Sequence, residues 1–341
     1  MNIRNLRNRL VISLVFGIVV YAGLSFYGDL NDVLKSLGDF NWALLPLILA
    51  LTSVNYLLRF VKWQYYLRII GVKGLAVWDS FLIFFAGLGM VVTPGKVGEW
   101  LKCYLLREVH GTPISRTAPI PIAERLTDSV ALLIIAGAGV FVFGNLWLVF
   151  VAVSVGAVLI VAVARHRPTA FALLALGRRV PFVKRFIPQL EEFYESTYVL
   201  MSPSAVVLMS AFSAVSWFFE VLAFYFTLVG LGLDGDADLL LHSAFILPIA
   251  TLASAILLTP GGLGVAEGSI TALCQTLLDM TKSSAAVAAL IIRLGTLWFG
   301  VVVGLIAFFV VSRRLPEDED ASLQRDVAAA AAAEPLGEAQ S

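Results

Sequence analysis

Charge is scarce in this chain. Lysine, arginine, aspartate and glutamate make up 14% of its 341 residues, against about a quarter in an ordinary soluble domain. The 24 basic and 24 acidic side chains cancel, so global electrostatics favour no partner and no nucleic acid is expected. Cysteine is nearly missing. Cys103 and Cys274 are the whole complement, too few for a disulfide framework or a cysteine-rich metal site. The three histidines, His110, His166 and His242, are scattered and form no ligand cluster. No glycine-rich loop ends in Gly-Lys-Ser/Thr, which removes a P-loop. No nucleophile, base and orienter stand out, so neither an enzyme nor a cofactor is expected.

What remains is apolar. Hydrophobic residues are 59% of the chain, and mean hydropathy is +0.89. Several stretches of 18 or more residues carry few charges, enough helix to cross a bilayer core of roughly 30 Å. The composition predicts an all-α polytopic membrane protein. Spanning candidates are 10–27, 42–60, 118–143, 146–164, 204–231 and 285–312, about six spanning helices. Arg4, Arg7 and Arg9 precede the first run and no small-residue cleavage site follows it. It is therefore expected as a retained helix rather than a signal peptide.

Charge bias orients these segments, because short cytoplasmic loops collect lysine and arginine. Residues 59–74 hold Arg59, Lys62, Arg68 and Lys73 with no acid, and 96–116 hold Lys96, Lys102, Arg107 and Arg116. Both are expected inside, so 76–108 between them enters and leaves on one side as a re-entrant hairpin. By the same logic 243–281 is a re-entrant hairpin from the outer side. The acidic connector with Asp234, Asp236 and Asp238 lies outside. The half-repeats, about 42–143 and 204–312, then run in opposite senses, an inverted-topology repeat of the kind many transporters use. An amphipathic cytoplasmic linker, 165–203, joins them. Its stretch 182–201 has Pro188 as a helix start or kink, with its basic residues on anionic lipid. Residues 1–315 form the membrane domain, and the acidic, then alanine-rich tail 316–341 is expected to be disordered. The expected location is the inner membrane, multi-pass, with both termini cytoplasmic.

One motif occurs twice. Thr93-Pro94-Gly95-Lys96-Val97-Gly98-Glu99 returns as Thr259-Pro260-Gly261-Gly262-Leu263-Gly264-Val265-Ala266-Glu267. Each copy interrupts an apolar stretch and ends in a carboxylate, and an arginine follows 26 residues later, Arg125 after Glu99 and Arg293 after Glu267. Proline disfavours helix in the residue before it and glycine permits backbone that others avoid. Such a break frees backbone groups inside the membrane, and the helix restarting after it presents N–H groups that suit an anion. A plain re-entry turn or kink needs no ligand. Two breaks at matched positions favour a site.

Glu124-Arg125-Leu126-Thr127-Asp128 opens a spanning helix, with Arg125 and Asp128 on one face. Arg293 lies deep in an otherwise uncharged helix. An arginine at mid-bilayer costs at least about 2.5–3.5 kcal/mol, so both arginines should pair, Arg293 with Glu267 and Arg125 with Glu99. Two structural ion pairs are one reading. The other is lipid phosphate held by the planar donor forks of arginine. Glu220 sits within a spanning helix and suits either proton coupling or a buried ion pair. Its mirror is Asn55 to Trp63. Arg59 and Lys62 there suit either snorkelling from a helix end or binding a ligand, Arg59 being a candidate for the lipid headgroup, and Trp42, Trp63, Trp78 and Trp100 are expected in the interfacial belt.

These residues resemble the membrane domain of the lysylphosphatidylglycerol synthase/flippase family, in its free-standing form. The resemblance covers about 8–315. It rests on Asn55 with Arg59 and Trp63, on Thr93-Pro94-Gly95 with Gly98-Glu99, on Glu124-Arg125 with Asp128, and on Pro260-Gly261-Gly262-Leu263-Gly264 with Glu267 and Arg293. It implies movement of an anionic phospholipid, or another phosphate-linked lipid, between leaflets. Members that carry a synthase make aminoacyl-phosphatidylglycerol with a cytosolic acetyltransferase-like domain. No such domain is expected from this sequence, so synthase activity is not expected to carry over. The alternatives are a membrane-embedded lipid transferase and an accessory subunit of a separately encoded synthase or glycosyltransferase. Membrane lipids, such a synthase or transferase, and a second copy of the chain are the partner classes.

Overall fold

The computed structural model describes residues 23, 29–93, 97–143, 147–178, 184–257 and 259–313. Among them every regular element is helical. The expected first helix, 10–27, apart from residue 23, and the tail, 316–341, lie outside this set.

Helix α1 (Leu30–Asp39) is capped by Asp29, whose carboxylate accepts from the Asn31 N–H. A 3-10 turn, Trp42–Leu44, leads into α2 (Leu45–Ile69). Then come α3 (Val77–Gly89), α4 (Val97–His110) and, after the turn Ile114–Thr117, α5 (Pro119–Phe143). Helices α6 (Trp147–Arg165), α7 (Arg167–Gly177) and α8 (Ile187–Leu200) connect to the second half. That half comprises α9 (Pro203–Gly230), α10 (Ala237–Ile256), α11 (Val265–Leu277), α12 (Lys282–Arg293), a π-helical segment Leu294–Trp298 and α13 (Phe299–Ser312). Helices α2, α7, α8 and α9 each have proline in the first turn, where its missing N–H goes unneeded.

Among the described residues four helices are long and apolar enough to cross a membrane: Trp42–Ile69, α9, α10 and Lys282–Ser312. Helices α6 and α7 are bent by 57° at His166. Helix α3, with 13 residues, is about 20 Å long and too short to cross alone. Two boundaries differ from expectation. Helix α2 runs on to Ile69, nine residues past the expected 60. Helix α10 begins at Ala237, and its 20 residues reach crossing length where a re-entrant limb was expected at 243–259.

Helix α2 packs along α9, α3 packs on α13, and α10 packs on α5. The limb that leads into each half's break therefore rests on the last helix of the other half. Polar bonds lock the α2–α9 seam: Asn55 Nδ2 donates to Ser216 O (2.8 Å) and Ser216 Oγ donates to Asn55 O (3.1 Å). At the α3–α13 crossing the backbones touch. A Cβ on Gly89 would stand 2.8 Å from the Gly304 carbonyl carbon. One apolar core gathers Trp63, Tyr66, Phe84 and Leu105; a second gathers Phe224, Phe245, Ile246 and Ile292.

Within the linker, three arginines engage α8. Arg167 pairs with Glu195 (3.1 Å), Arg178 with Glu191, and Arg165 lies over the Tyr198 ring.

Candidate functional site

Helical spacing brings chemistry to one place. Tyr56 and Arg59 are three apart on α2, Trp217 and Glu220 three apart on α9, and Thr251 and Ser254 three apart on α10; each pair shares a face. With Arg125 from α5, Arg293 from α12, the second break, Leu88 and Val91 at the end of α3, and Thr296, Leu297 and Gly300, they line a cavity of about 170 Å³.

The second break is held from inside. Gly261, Gly262 and Gly264 have φ of 60°, 74° and 83°, values that side-chain-bearing residues rarely adopt. Arg293 Nε donates to Glu267 Oε1 at 2.7 Å, and its Nη2 donates to Gly261 O. Glu267 is fully buried and its other oxygen accepts from the Gly264 N–H at 2.7 Å. The start of α11, expected as an anion receptor, is thus occupied by the protein's own carboxylate, as in a capping box. The expected Arg293–Glu267 pair is present. Directly after Arg293 the helix widens to π geometry, which displaces a carbonyl from the usual ladder. The Tyr56 hydroxyl donates to that region at Thr296 O.

The first break meets the second. Thr93 Oγ1 donates to Met90 O at 2.6 Å and turns the end of α3. A Cβ on Gly261 would lie 3.1 Å from Val92 Cγ1, and Val92, Leu263, Leu297 and Val301 form one apolar cluster. Pro94 and Gly95 lie outside the described residues. Gly98 and Glu99 occupy the first turn of α4, and the expected Glu99–Arg125 pair involves a side chain outside those described.

Beside the cavity lies a buried ionic network. Lys62 Nζ is 2.6 Å from Asp128 Oδ1 and donates to Ser213 Oγ at 2.6 Å, while Ser213 donates to Asp128 at 2.9 Å. Arg59 Nη2 approaches Asp128 at 3.7 Å, and its guanidinium lies 5.7 Å from the Trp217 ring centre. Lys62 was expected to snorkel; instead its side chain is 3% exposed. The reason is the length of α2, which continues two turns and leaves Lys62 far from a helix end. Trp63 is likewise a correction. It is wholly buried, donates to Ser80 Oγ at 3.1 Å and stacks under Lys102. Trp42, Trp78 and Trp100 are exposed. Glu124 does not line the cavity; it pairs with Lys102 at 2.7 Å.

Three arginines therefore share one cavity with Glu220, the carboxylate on its wall. Two further wall atoms, Trp217 Nε1 and Thr259 Oγ1, are buried without a hydrogen-bond partner among the described residues. Such atoms are rare unless a ligand or water serves them. Sequence reasoning missed Tyr56, Trp217, Thr251 and Ser254. The three-residue spacing of the first two from Arg59 and Glu220 was the available signal.

A family model described as the lysylphosphatidylglycerol synthase TM region matches residues 10–304. Glycosyltransferase AglD of Haloferax volcanii is 24% identical over 84% of this chain and 51% of that protein, so the chain spans about half its length. A UPF0104 membrane protein of Methanothermobacter thermautotrophicus is 25% identical over 80% of this chain and 84% of its own. A second UPF0104 membrane protein, from Methanocaldococcus jannaschii, is 23% identical over 66% and 94% respectively.

Proposed function

The chain belongs to the lysylphosphatidylglycerol synthase transmembrane-region family, and from that premise we propose that it carries a phosphate-bearing lipid between membrane leaflets. The observation that supports this is the convergence of Arg59, Arg125 and Arg293 on one cavity within an apolar bundle. Charges at such depth are expensive and are retained for function. Guanidinium forks match phosphate oxygens, and the unpartnered Trp217 and Thr259 atoms add polar contacts. The cavity, about 170 Å³, is smaller than the roughly 300–1,000 Å³ of drug-sized sites. It suits a headgroup whose acyl chains stay in the bilayer. Arg293 also fastens the second break through Gly261 and Glu267, so headgroup binding and break geometry are joined in one side chain.

The architecture we propose has six spanning helices and two re-entrant hairpins in an inverted repeat, in the inner membrane, with both termini cytoplasmic. The exchange of limbs, α3 on α13 and α10 on α5, supports it. So does the contact of Val92 with the Gly261 turn. Two mirrored halves offer one site with two alternating openings.

The test is translocation of fluorescent short-chain phosphatidylglycerol in proteoliposomes. Arg59→Ala and Arg125→Ala each slow it at least about tenfold, the loss of one charge-assisted contact. Full rates in both variants remove these residues from the mechanism. Labelling Thr93→Cys and Thr259→Cys checks the topology: access to both from one aqueous compartment, and to neither from the other, rules out the mirrored hairpins.

The Haloferax relative supports a second reading. A protein named glycosyltransferase shares this membrane unit over half its length. On that reading the chain serves a separately encoded glycosyltransferase or lipid-modifying synthase, or is itself a lipid transferase. Incubation of purified chain with labelled lipid separates the cases, because a covalently altered product favours a transferase.

A further inference from the structure

Glu220 is the feature of the cavity that phosphate binding leaves unexplained. It is the carboxylate on a wall otherwise built to attract an anion. The other nearby acids are committed. Asp128 is held by Lys62, Ser213 and Arg59, and Glu267 by Arg293 and the Gly264 N–H. Glu220 makes no hydrogen bond or ion pair with a described residue, although Arg59 and Arg293 both act on it electrostatically. An anionic group placed in an anion site competes with the ligand for the same cations.

Every element packed against α9 contributes to its surroundings. Helix α2 presents Arg59, Lys62 and Tyr56; α5 presents Arg125 and Asp128; α12 presents Arg293. Helix α10 adds the neutral Thr251 and Ser254, while its titratable Asp238 and His242 pair with each other in its first turns. In a cavity of about 170 Å³, a phosphate stands only a few ångströms from the Glu220 carboxylate. Like charges that close in a low-dielectric interior repel strongly, and a proton on the carboxylate removes the repulsion. Without the lipid, Arg59 and Arg293 attract the ionised carboxylate against the cost of its burial.

We propose that Glu220 exchanges roles with the lipid phosphate, taking up one proton when the headgroup enters and releasing it when the headgroup leaves. This rests on the lipid-carrier reading above. The proton comes from the aqueous side open at the time, no covalent bond changes, and the lipid travels with one proton. A transmembrane pH difference then biases the direction of transport. Because linkage is reciprocal, the proton affects lipid affinity as much as the lipid affects proton affinity.

The experiment uses the full chain in nanodiscs and dihexanoyl-phosphatidylglycerol as probe, a phosphodiester whose single charge is constant across the pH range. Wild-type affinity falls with rising pH, approaching about tenfold per unit, the limit for one linked proton. Glu220→Gln binds with no pH slope, and Glu220→Asp keeps the slope. A measurement that needs no variant accompanies these: adding probe to wild-type protein in weak buffer takes up about one proton per probe bound. A slope shared by wild type and Glu220→Gln, or absent proton uptake, overturns the exchange. In that case loss of binding in Arg125→Ala still upholds the phosphate site. No binding by wild type at any pH overturns both.

Discussion

Asp128→Ala should be among the most damaging single substitutions in the bundle. The change removes the acceptor of Lys62 at 2.6 Å, the acceptor of Ser213 at 2.9 Å and a partner of Arg59 at 3.7 Å. With side chains 3% and 6% exposed, water cannot replace the carboxylate. Removing one member of a buried pair costs about 3–5 kcal/mol, and the abandoned hydroxyl adds about 1 kcal/mol, for a total of about 4–6 kcal/mol. Replacing both charges, as Lys62→Met with Asp128→Leu, should return most of this, because an apolar pair of similar volume is often neutral or better. Equilibrium unfolding in mixed micelles, with sodium dodecyl sulfate as denaturant and tryptophan fluorescence as signal, measures all four corners of the cycle. A loss below about 1 kcal/mol in Asp128→Ala, the range of exposed pairs, would show that Lys62 is solvated. A double variant as unstable as the single would refute the desolvation reasoning as well.

Three further outcomes follow from the geometry. Gly89→Val places a Cβ 2.8 Å from the Gly304 backbone; neither helix can yield cheaply, so the same unfolding assay should show a loss of at least about 1–3 kcal/mol, and an unchanged midpoint would mean that α3 does not rest on α13. Gly261→Ala combines φ of 60° with Val92 at 3.1 Å and should cost about 1–3 kcal/mol while slowing lipid translocation. Native stability and rate would disconnect this turn from the site. Glu267→Gln leaves Arg293 without its carboxylate and should raise thiol labelling of Leu263→Cys beside the break. Labelling equal to that of the parent would show that the pair does not hold the turn.

Some of this site can be read from residue order. A carboxylate and an arginine 26 residues apart, both in apolar segments, must find each other or leave costly charges in lipid, and Glu267 with Arg293 did so. The glycines of the second break also follow from local rules, since only such residues take positive φ freely. Other assignments failed for reasons outside local sequence. Lys62 and Trp63 looked like a helix end because four basic residues cluster at 59–73, yet α2 continues to Ile69 and buries both. Glu124 and Arg125 are neighbours in sequence, but successive residues on a helix point about 100° apart. One reaches Lys102 and the other the cavity.

Composition and patterning alone determine that this chain is helical, enters a membrane and is interrupted twice by Thr-Pro-Gly. Hydrophobic run length, proline and glycine act over a few residues, and local rules capture them. Which charges meet was settled only by helix packing. Lys62, Asp128 and Ser213 come from three helices far apart in the chain, and the wall of the cavity from seven helices, the π-helical segment and the second break. Their meeting depends on how each helix is rotated about its axis against its neighbours, a quantity that no local stretch of residues specifies.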